Sequence, residues 1–230
     1  MNLTAINEES LLVKFSDDIS EDIHLKVKNM YRYALKIDGV LSVVPSYNSL
    51  MIYYDIMTTD YDKLTVDLKK VKNHQVIQSE KRIIKIPVCY EMGIDLKRVS
   101  DHTGLSEKAV ISNHTGRDYL VYMIGFAPGF PYLGGMDAKL ATPRLEVPRT
   151  KIEAGSVGIG GEQTGIYPLP TPGGWNIIGK TPLKLYDQNN SQTLLKMGEY
   201  IRFVPVSKDE YYKIENEVLE NKYEIEVVSC

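Results

Sequence analysis

The chain has 230 residues, with 27 Lys and Arg against 30 Asp and Glu and a formal net charge of −3. Hydrophobic residues at 43% and charged residues at 25% are ordinary globular usage, which excludes a disordered chain and allows one large domain or two small ones. The slight acidity argues against non-specific binding to nucleic acid or acidic membranes, and two cysteines, Cys89 and Cys230, cannot build a disulfide framework.

The first 20 residues are acidic and lack a continuous apolar run, so no signal peptide is expected. No stretch approaches the roughly 18 apolar residues of a spanning helix. Cytoplasmic localisation is the expectation, with neither a membrane nor a nucleic acid as partner.

LLVKF (11–15) predicts a short strand. Ser20 is placed to cap a helix that opens with Glu21 and Asp22, acids suited to the positive end of the helix dipole. Ile23, Val27, Met30, Tyr31 and Ala34 follow at helical spacing, and Gly39 ends the run. VLSVV (40–44) and SLMIYYD (49–55) predict two strands. Asp60 opens a second helix with Leu64, Leu68 and Val71 on one face, and RIIKIPV (82–88) predicts a last strand. The order β-α-β-β-α-β predicts a ferredoxin-like α/β domain over residues 1–85.

The pattern then changes. Residues 125–180 hold 12 of the 17 glycines and 7 of the 11 prolines, whereas the first 80 residues hold one of each. DLKRVSDHTGL and SEKAVISNHTG predict two short helices joined at Gly104. Strands are expected at 119–126, 155–159, 175–178, 183–187 and 200–204, then a helix over 208–220 and a closing strand at 223–228. Many short strands joined by Gly and Pro predict a β-barrel or sandwich over residues 86–230.

Several motifs invite chemistry. The pattern G-x-x-x-x-G-K-T occurs at Gly174–Thr181. A phosphate-binding loop follows a buried strand and opens a helix, but the residues between the glycines are Trp-Asn-Ile-Ile and the sequel is Pro-Leu-Lys-Leu-Tyr, so two strands are expected with Lys180 at the end of one. The spacing Ser100, Gly104, Val110 is that of a helix-turn-helix, yet the basic residues nearby are few, and a structural hairpin is the expected reading. The histidines at 24, 74, 102 and 114 show no metal-ligand spacing, and no metal site is expected. His24 and His74 read as solvated, His102 as a cap. His114 ends a helix just before the strand that enters the glycine-rich loops. Cys89 reads as buried rather than reactive.

The segment 125–135 alternates Gly and Pro with aromatic rings, so it reads as a rigid loop presenting Phe126, Phe130 and Tyr132. Arg144, Arg149 and Lys151 follow and supply charge for a carboxylate or phosphate. Next comes a glycine-rich stretch carrying Glu162, Gln163, Thr164 and Tyr167. Long loops of this kind in a compact domain are usually functional. His114, Arg149, Gln163 and Thr164 are the candidate catalytic residues: His114 for proton transfer, Arg149 as anion clamp, the other two as orienting groups. Phe126, Phe130, Tyr132, Arg144, Lys151, Glu162, Tyr167 and Lys180 are the candidate binding residues.

The stretches GFAPGFPYLGG, TPRLEVPRTKIEAGSVGIGGEQTGIYPLPTPGGWNIIGKTP and FVPVSKDEY closely resemble the PxpB/KipI family, also known as allophanate hydrolase subunit 1. The resemblance implies a small α/β domain followed by a cyclophilin-like β-barrel. It also implies a B subunit of a bacterial ATP-dependent 5-oxoprolinase, which opens 5-oxo-L-proline to L-glutamate. Its partners would be a KipA-like C subunit (PxpC) and a LamB/YcsF-like A subunit (PxpA). ATP, with Mg as its counter-ion, would be bound by the assembled complex rather than by this chain alone. One branch of the family instead inhibits a sporulation histidine kinase, and the hydrolase name reflects likeness to the carboxyltransferase region of urea carboxylases.

Overall fold

A computed structural model of the chain describes residues 1–71 and 81–229. The chain divides into two compact units, Met1–Ser79 and Glu80–Cys230. His74 and Cys230 lie outside the described residues.

The first unit contains β1 (Asn2–Asn7), β2 (Ser10–Lys14), α1 (Glu21–Ala34), β3 (Val40–Pro45), β4 (Ser49–Tyr54) and α2 (Tyr61–Lys69). Both helices start where the caps stand. The Ser20 hydroxyl accepts from the Ile23 N–H and the Asp60 carboxylate from the Lys63 N–H, so each side chain satisfies one amide left open by the first turn. Val27, Met30 and Ala34 of α1 and Leu64 and Leu68 of α2 join Leu11, Val13, Leu50 and Ile52 in one core. His24, read from sequence as solvated, is 1% exposed on α1.

The sheet of this unit is antiparallel with order β1-β2-β4-β3, and that departs from a ferredoxin-like domain. The strand beside β2 is β1, paired to it as a hairpin. The segment expected to fill that place, Arg82–Val88, pairs instead within the second unit. Its residues are buried almost throughout, so it needs cover on both faces and a neighbour on each side.

The second unit begins with that strand, β5 (Arg82–Val88), then α3 (Leu96–Thr103), α4 (Glu107–Thr115), β6 (Tyr119–Ile124), β7 (Pro131–Gly134) and β8 (Arg149–Ile152). It continues with β9 (Ser156–Gly160), β10 (Gln163–Ile166), β11 (Thr171–Gly173), β12 (Asn176–Lys180), β13 (Tyr186–Asp187) and β14 (Gln192–Thr193). It ends with β15 (Tyr200–Pro205), α5 (Lys208–Leu219) and β16 (Val227–Ser229). β5 runs parallel to β15 and antiparallel to β16, giving a five-stranded sheet of order β16-β5-β15-β6-β7. The others are β10-β9-β12, β11-β8 and β13-β14.

No sheet among the described residues closes on itself, so the expected cyclophilin-like barrel is not formed and the fold is α+β with open sheets. The glycine- and proline-rich loops cut the strands between β7 and β14 to five residues or fewer. Such pieces cannot carry a ladder around a cylinder, and β12 and β9 also slip register between Ile177 and Gly179. The core is filled by helices as well as sheets: Val99 of α3, Val110 of α4 and Ile214 of α5 pack with Ile86, Val121, Ile159, Ile178 and Phe203. The α3–α4 pair is a structural hairpin. Gly104 closes α3 in the left-handed conformation, and His114 at the end of α4 points into the core. No helix among the described residues is long and apolar enough to cross a membrane.

Candidate functional site

The loops that stood out in the sequence build a separate aromatic cluster beside the main core. Phe130, Ile152, Tyr167, Trp175 and Ile177 are its buried members. Phe130 is the hub: Phe126, Tyr132, Tyr167 and Trp175 meet it edge-on at centroid distances of 5.8, 5.3, 5.6 and 5.7 Å. Edge-to-face packing of this kind adds direction to the burial energy and holds the rings at fixed angles. Phe130 and Tyr167 are therefore scaffold, and Tyr132 is half-buried.

Phe126 is the ring that reaches solvent. It is 76% exposed and has φ +61°, a conformation costly for a bulky residue. The loop enforces it: the Ala127 N–H donates to Gly125 O at 2.7 Å, and Gly125 and Phe130 are tied by the Gly125 N–H to Phe130 O bond at 3.1 Å. Strain kept in this way on an exposed aromatic points to use rather than to packing.

Cations gather around Trp175 and Asn176. The Arg149 Nη2 donates to Asp95 Oδ1 at 2.7 Å, and Asp95 Oδ2 accepts from the Ile177 N–H at 2.7 Å. Asp95 stands at the N-cap position of α3 yet makes no capping bond; its carboxylate is spent on β12 and Arg149. The guanidinium of Arg149 is thereby fixed on the strand, with a second, longer contact to Trp175 O at 3.4 Å. Arg144 lies over the Trp175 ring at 6.0 Å, within cation–π range. Arg98 donates to Asn176 Oδ1 at 2.9 Å, and Asn176 in turn donates to Pro143 O and Ile159 O, which ties the 143 loop to β9 and β12. Lys151 is exposed and ion-paired with Glu153 at 2.8 Å.

His114 and Thr164 are brought together, but inside the core. The Thr164 hydroxyl donates to Gly158 O at 3.0 Å, so the His114 Nε2–H donates to Thr164 Oγ1 at 2.8 Å. Nδ1 is then an acceptor, served by the Tyr90 hydroxyl at 2.7 Å. The ring stacks on Phe203 at 4.3 Å and is fully buried. Burial lowers its pKa to about 3, so it is neutral at physiological pH. Gln163 pairs with Gly160 across the β9–β10 hairpin, and Glu162 is exposed at its tip.

Lys180 ends strand β12, as the Trp-Asn-Ile-Ile run suggested, and no helix follows Thr181. The amides that a phosphate loop would offer are already used. Ile177 N–H donates to Asp95, Lys180 N–H to Cys89 O at 3.1 Å and Thr181 N–H to Gly155 O at 2.8 Å. The segment does not fit a triphosphate cradle. The isolated chain is expected to show no micromolar ATP binding in equilibrium dialysis; such binding, lost in Lys180→Ala, would overturn this.

Asp95, Arg98, Asn176 and Trp175 were not among the residues picked from sequence. Trp175, the only tryptophan, at the end of a Gly-Gly pair, was the available signal; the partners of Arg149 and Asn176 lie 54 and 78 positions away and left no local trace.

The model of the carboxyltransferase domain, subdomain C and D, matches residues 1–196. The chain is 38% identical over 229 residues to the 5-oxoprolinase B subunit of Bacillus subtilis (strain 168), covering 92% of this chain and 95% of that protein. It is 36% identical over 208 residues to the 5-oxoprolinase B subunit of Escherichia coli O157:H7, covering 87% and 94%. Among solved structures, TTHA0988 superposes with a TM-score of 0.79 at 33% identity; the match covers 87% of this chain but 40% of that one, so this chain spans less than half of TTHA0988. The chain belongs to the carboxyltransferase subdomain C and D family, and within it to the group of 5-oxoprolinase B subunits.

Proposed function

We propose that this chain is the B subunit of an ATP-dependent 5-oxoprolinase, working with C and A subunits to open 5-oxo-L-proline to L-glutamate. The observation that carries the reading is the 38% identity to the Bacillus subtilis B subunit over nearly both chains. A heteromeric assembly is in keeping with the names of the relatives, each a B subunit, and with TTHA0988, a longer chain of which this one matches only 40%. ATP is assigned to the assembled complex, because β12 offers it no cradle here.

In this reading the carboxylate of the substrate meets Arg149, oriented by Asp95, with Arg144 nearby over Trp175 and the exposed Phe126 ring as an apolar wall. A planar guanidinium presents two parallel N–H donors to a carboxylate, a geometry a lysine does not reproduce. His114 is given a positioning part instead of proton transfer: it sets Thr164 and Tyr90 from within the core.

The test is reconstitution with the C and A subunits. Arg149→Ala and Arg149→Lys are expected to assemble yet lose at least about tenfold in 5-oxoproline-dependent ATP hydrolysis, a barrier change of ~1.4 kcal/mol. Assembled variants with unaltered turnover would place the substrate elsewhere, and a wild-type complex without 5-oxoproline-dependent turnover would remove the reading.

A further inference from the structure

A concavity lies between α5 and the segment that follows β12. It has a volume of about 180 Å³. Its charged side chains are Lys180, Lys184 and Glu215. Pro168, Pro182, Leu183 and Val218 make its apolar wall, and Tyr211 adds a hydroxyl.

The charges are not neutralised within the groove. Among the described residues no carboxylate lies within ion-pairing distance of Lys180 or Lys184. Glu153 feels the charge of Lys180, but its own carboxylate is held down first by its hydrogen bond and charge pairing with Lys151, and by Lys180 last. Glu215 lines the groove and accepts from the Tyr211 hydroxyl on one carboxylate oxygen, at 3.2 Å. Tyr211 is buried, and its phenol pKa is raised by that burial and by Glu215, so it stays a donor.

We propose that this groove binds an α-amino dicarboxylic acid. Two ammonium groups and one carboxylate are the complement of two carboxylates and one ammonium. The ligand's carboxylates face Lys180 and Lys184, its ammonium faces Glu215, and its methylenes lie on Pro182, Leu183 and Val218. A lone phosphate would satisfy the lysines but leave Glu215 facing a like charge, which disfavours it. L-glutamate belongs to the fitting class, and under the function proposed above it is the reaction product, so the groove would hold product on this chain of the complex. The charge argument itself does not rest on that reading. The binding test below needs no turnover, so failure of the one is distinguishable from failure of the other.

Calorimetric titration of the full chain with L-glutamate, glutarate, 5-oxo-L-proline and inorganic phosphate decides the matter. L-glutamate is expected to bind more tightly than the other three. Lys180→Ala and Lys184→Ala should each weaken it by about fivefold, in the range of a partly exposed ion pair. Glu215→Gln should weaken L-glutamate by a similar factor while leaving glutarate, which has no ammonium, unchanged or tighter. Lys184 is exposed and Lys180 is half-buried at the end of β12, held there by backbone bonds to Cys89 that a side-chain truncation leaves in place; if Glu215→Gln were to unfold, the order of the four ligands on the wild-type chain decides alone. No binding of L-glutamate up to concentrations of about 10 mM, roughly −3 kcal/mol, would overturn the proposal. So would phosphate binding as tightly as L-glutamate, or loss of glutarate in Glu215→Gln to the same extent as L-glutamate.

Discussion

Gly93→Ala is expected to destabilise the second unit by about 3 kcal/mol, the upper range for overpacking a site that cannot yield. A Cβ at this position would stand 2.1 Å from the Ile178 carbonyl oxygen, 2.3 Å from its carbon and 2.8 Å from Cα. All three are backbone atoms of β12, so no rotamer change relieves the clash. The segment has no slack on the other side: the Gly93 N–H donates to Tyr90 O at 2.9 Å, and the Asp95 N–H to Ile177 O at 2.8 Å. Moving Gly93 away from β12 pulls Asp95 with it, and Asp95 holds Arg149. The same substitution is therefore expected to lower turnover of the reconstituted complex even below its unfolding midpoint. Gly104→Ala is the control. Its φ of +70° is strained for alanine but nothing lies within 4 Å of the added carbon, so roughly 1 kcal/mol is expected. Urea unfolding with unchanged m-values measures both. Equal costs at the two positions would show that β12 yields and that the close approach is not a constraint.

What was legible in the sequence follows the range of the interactions. Helices α1, α2 and α5 were readable because caps and apolar spacing act within a few residues: Ser20, Asp60 and Ser207 each accept from the amide three positions on. β1 was not readable, because it is an edge strand with almost every side chain exposed, and its pairing is carried by the backbone. The placement of β5 turned on a partner, β15, more than a hundred residues later. Of the short strands around the glycine-rich loops, β9 and β12 were foreseen, whereas β7, β8, β10 and β11 lie where only loops were read; whether the strands closed depended on ladders no local pattern encodes, and they remain open sheets.

The candidate site divides in the same way. The loop around Phe126 announced itself through local composition. Arg149 was picked out as a cation, but what makes it a fixed one is Asp95, and nothing near Arg149 pointed there. His114 shows the opposite error. Its place at a helix end before the glycine-rich loops suggested proton transfer, but Val110 and His114 are the buried residues of α4, and the imidazole stacks on Phe203 of β15 inside the core.

That burial makes the second unit acid-sensitive already at pH values above the range where carboxylates protonate. In the unfolded chain His114 takes up a proton near pH ~6.5. In the folded chain its pKa is lowered to about 3 by burial, and its nitrogens are committed: Nε2–H to Thr164 and Nδ1 as the acceptor for Tyr90, whose own phenol is pushed up by burial and keeps its proton. Between those two values the unfolded state binds one proton more than the folded state. Stability is therefore fully present above pH ~6.5 and falls as pH drops through the window, by up to ~1.4 kcal/mol per pH unit. His24, lowered to about 4 chiefly by burial, has the same sign in the first unit. His114→Gln removes the titration while leaving an amide to meet Tyr90 and Thr164. It is expected to cost roughly 1–3 kcal/mol at pH 7.5, through imperfect hydrogen bonds and the lost ring stack. Between pH 6.5 and 5, above the range where carboxylates protonate, its stability should be flatter than wild type by about 1 kcal/mol per pH unit. Urea midpoints at four or so pH values across that window read the difference. Parallel slopes would mean that His114 gains its proton in the folded protein near neutrality. The closed donor chain from Tyr90 to Gly158 would then have to open, and proton transfer by His114 would return as a reading of the site.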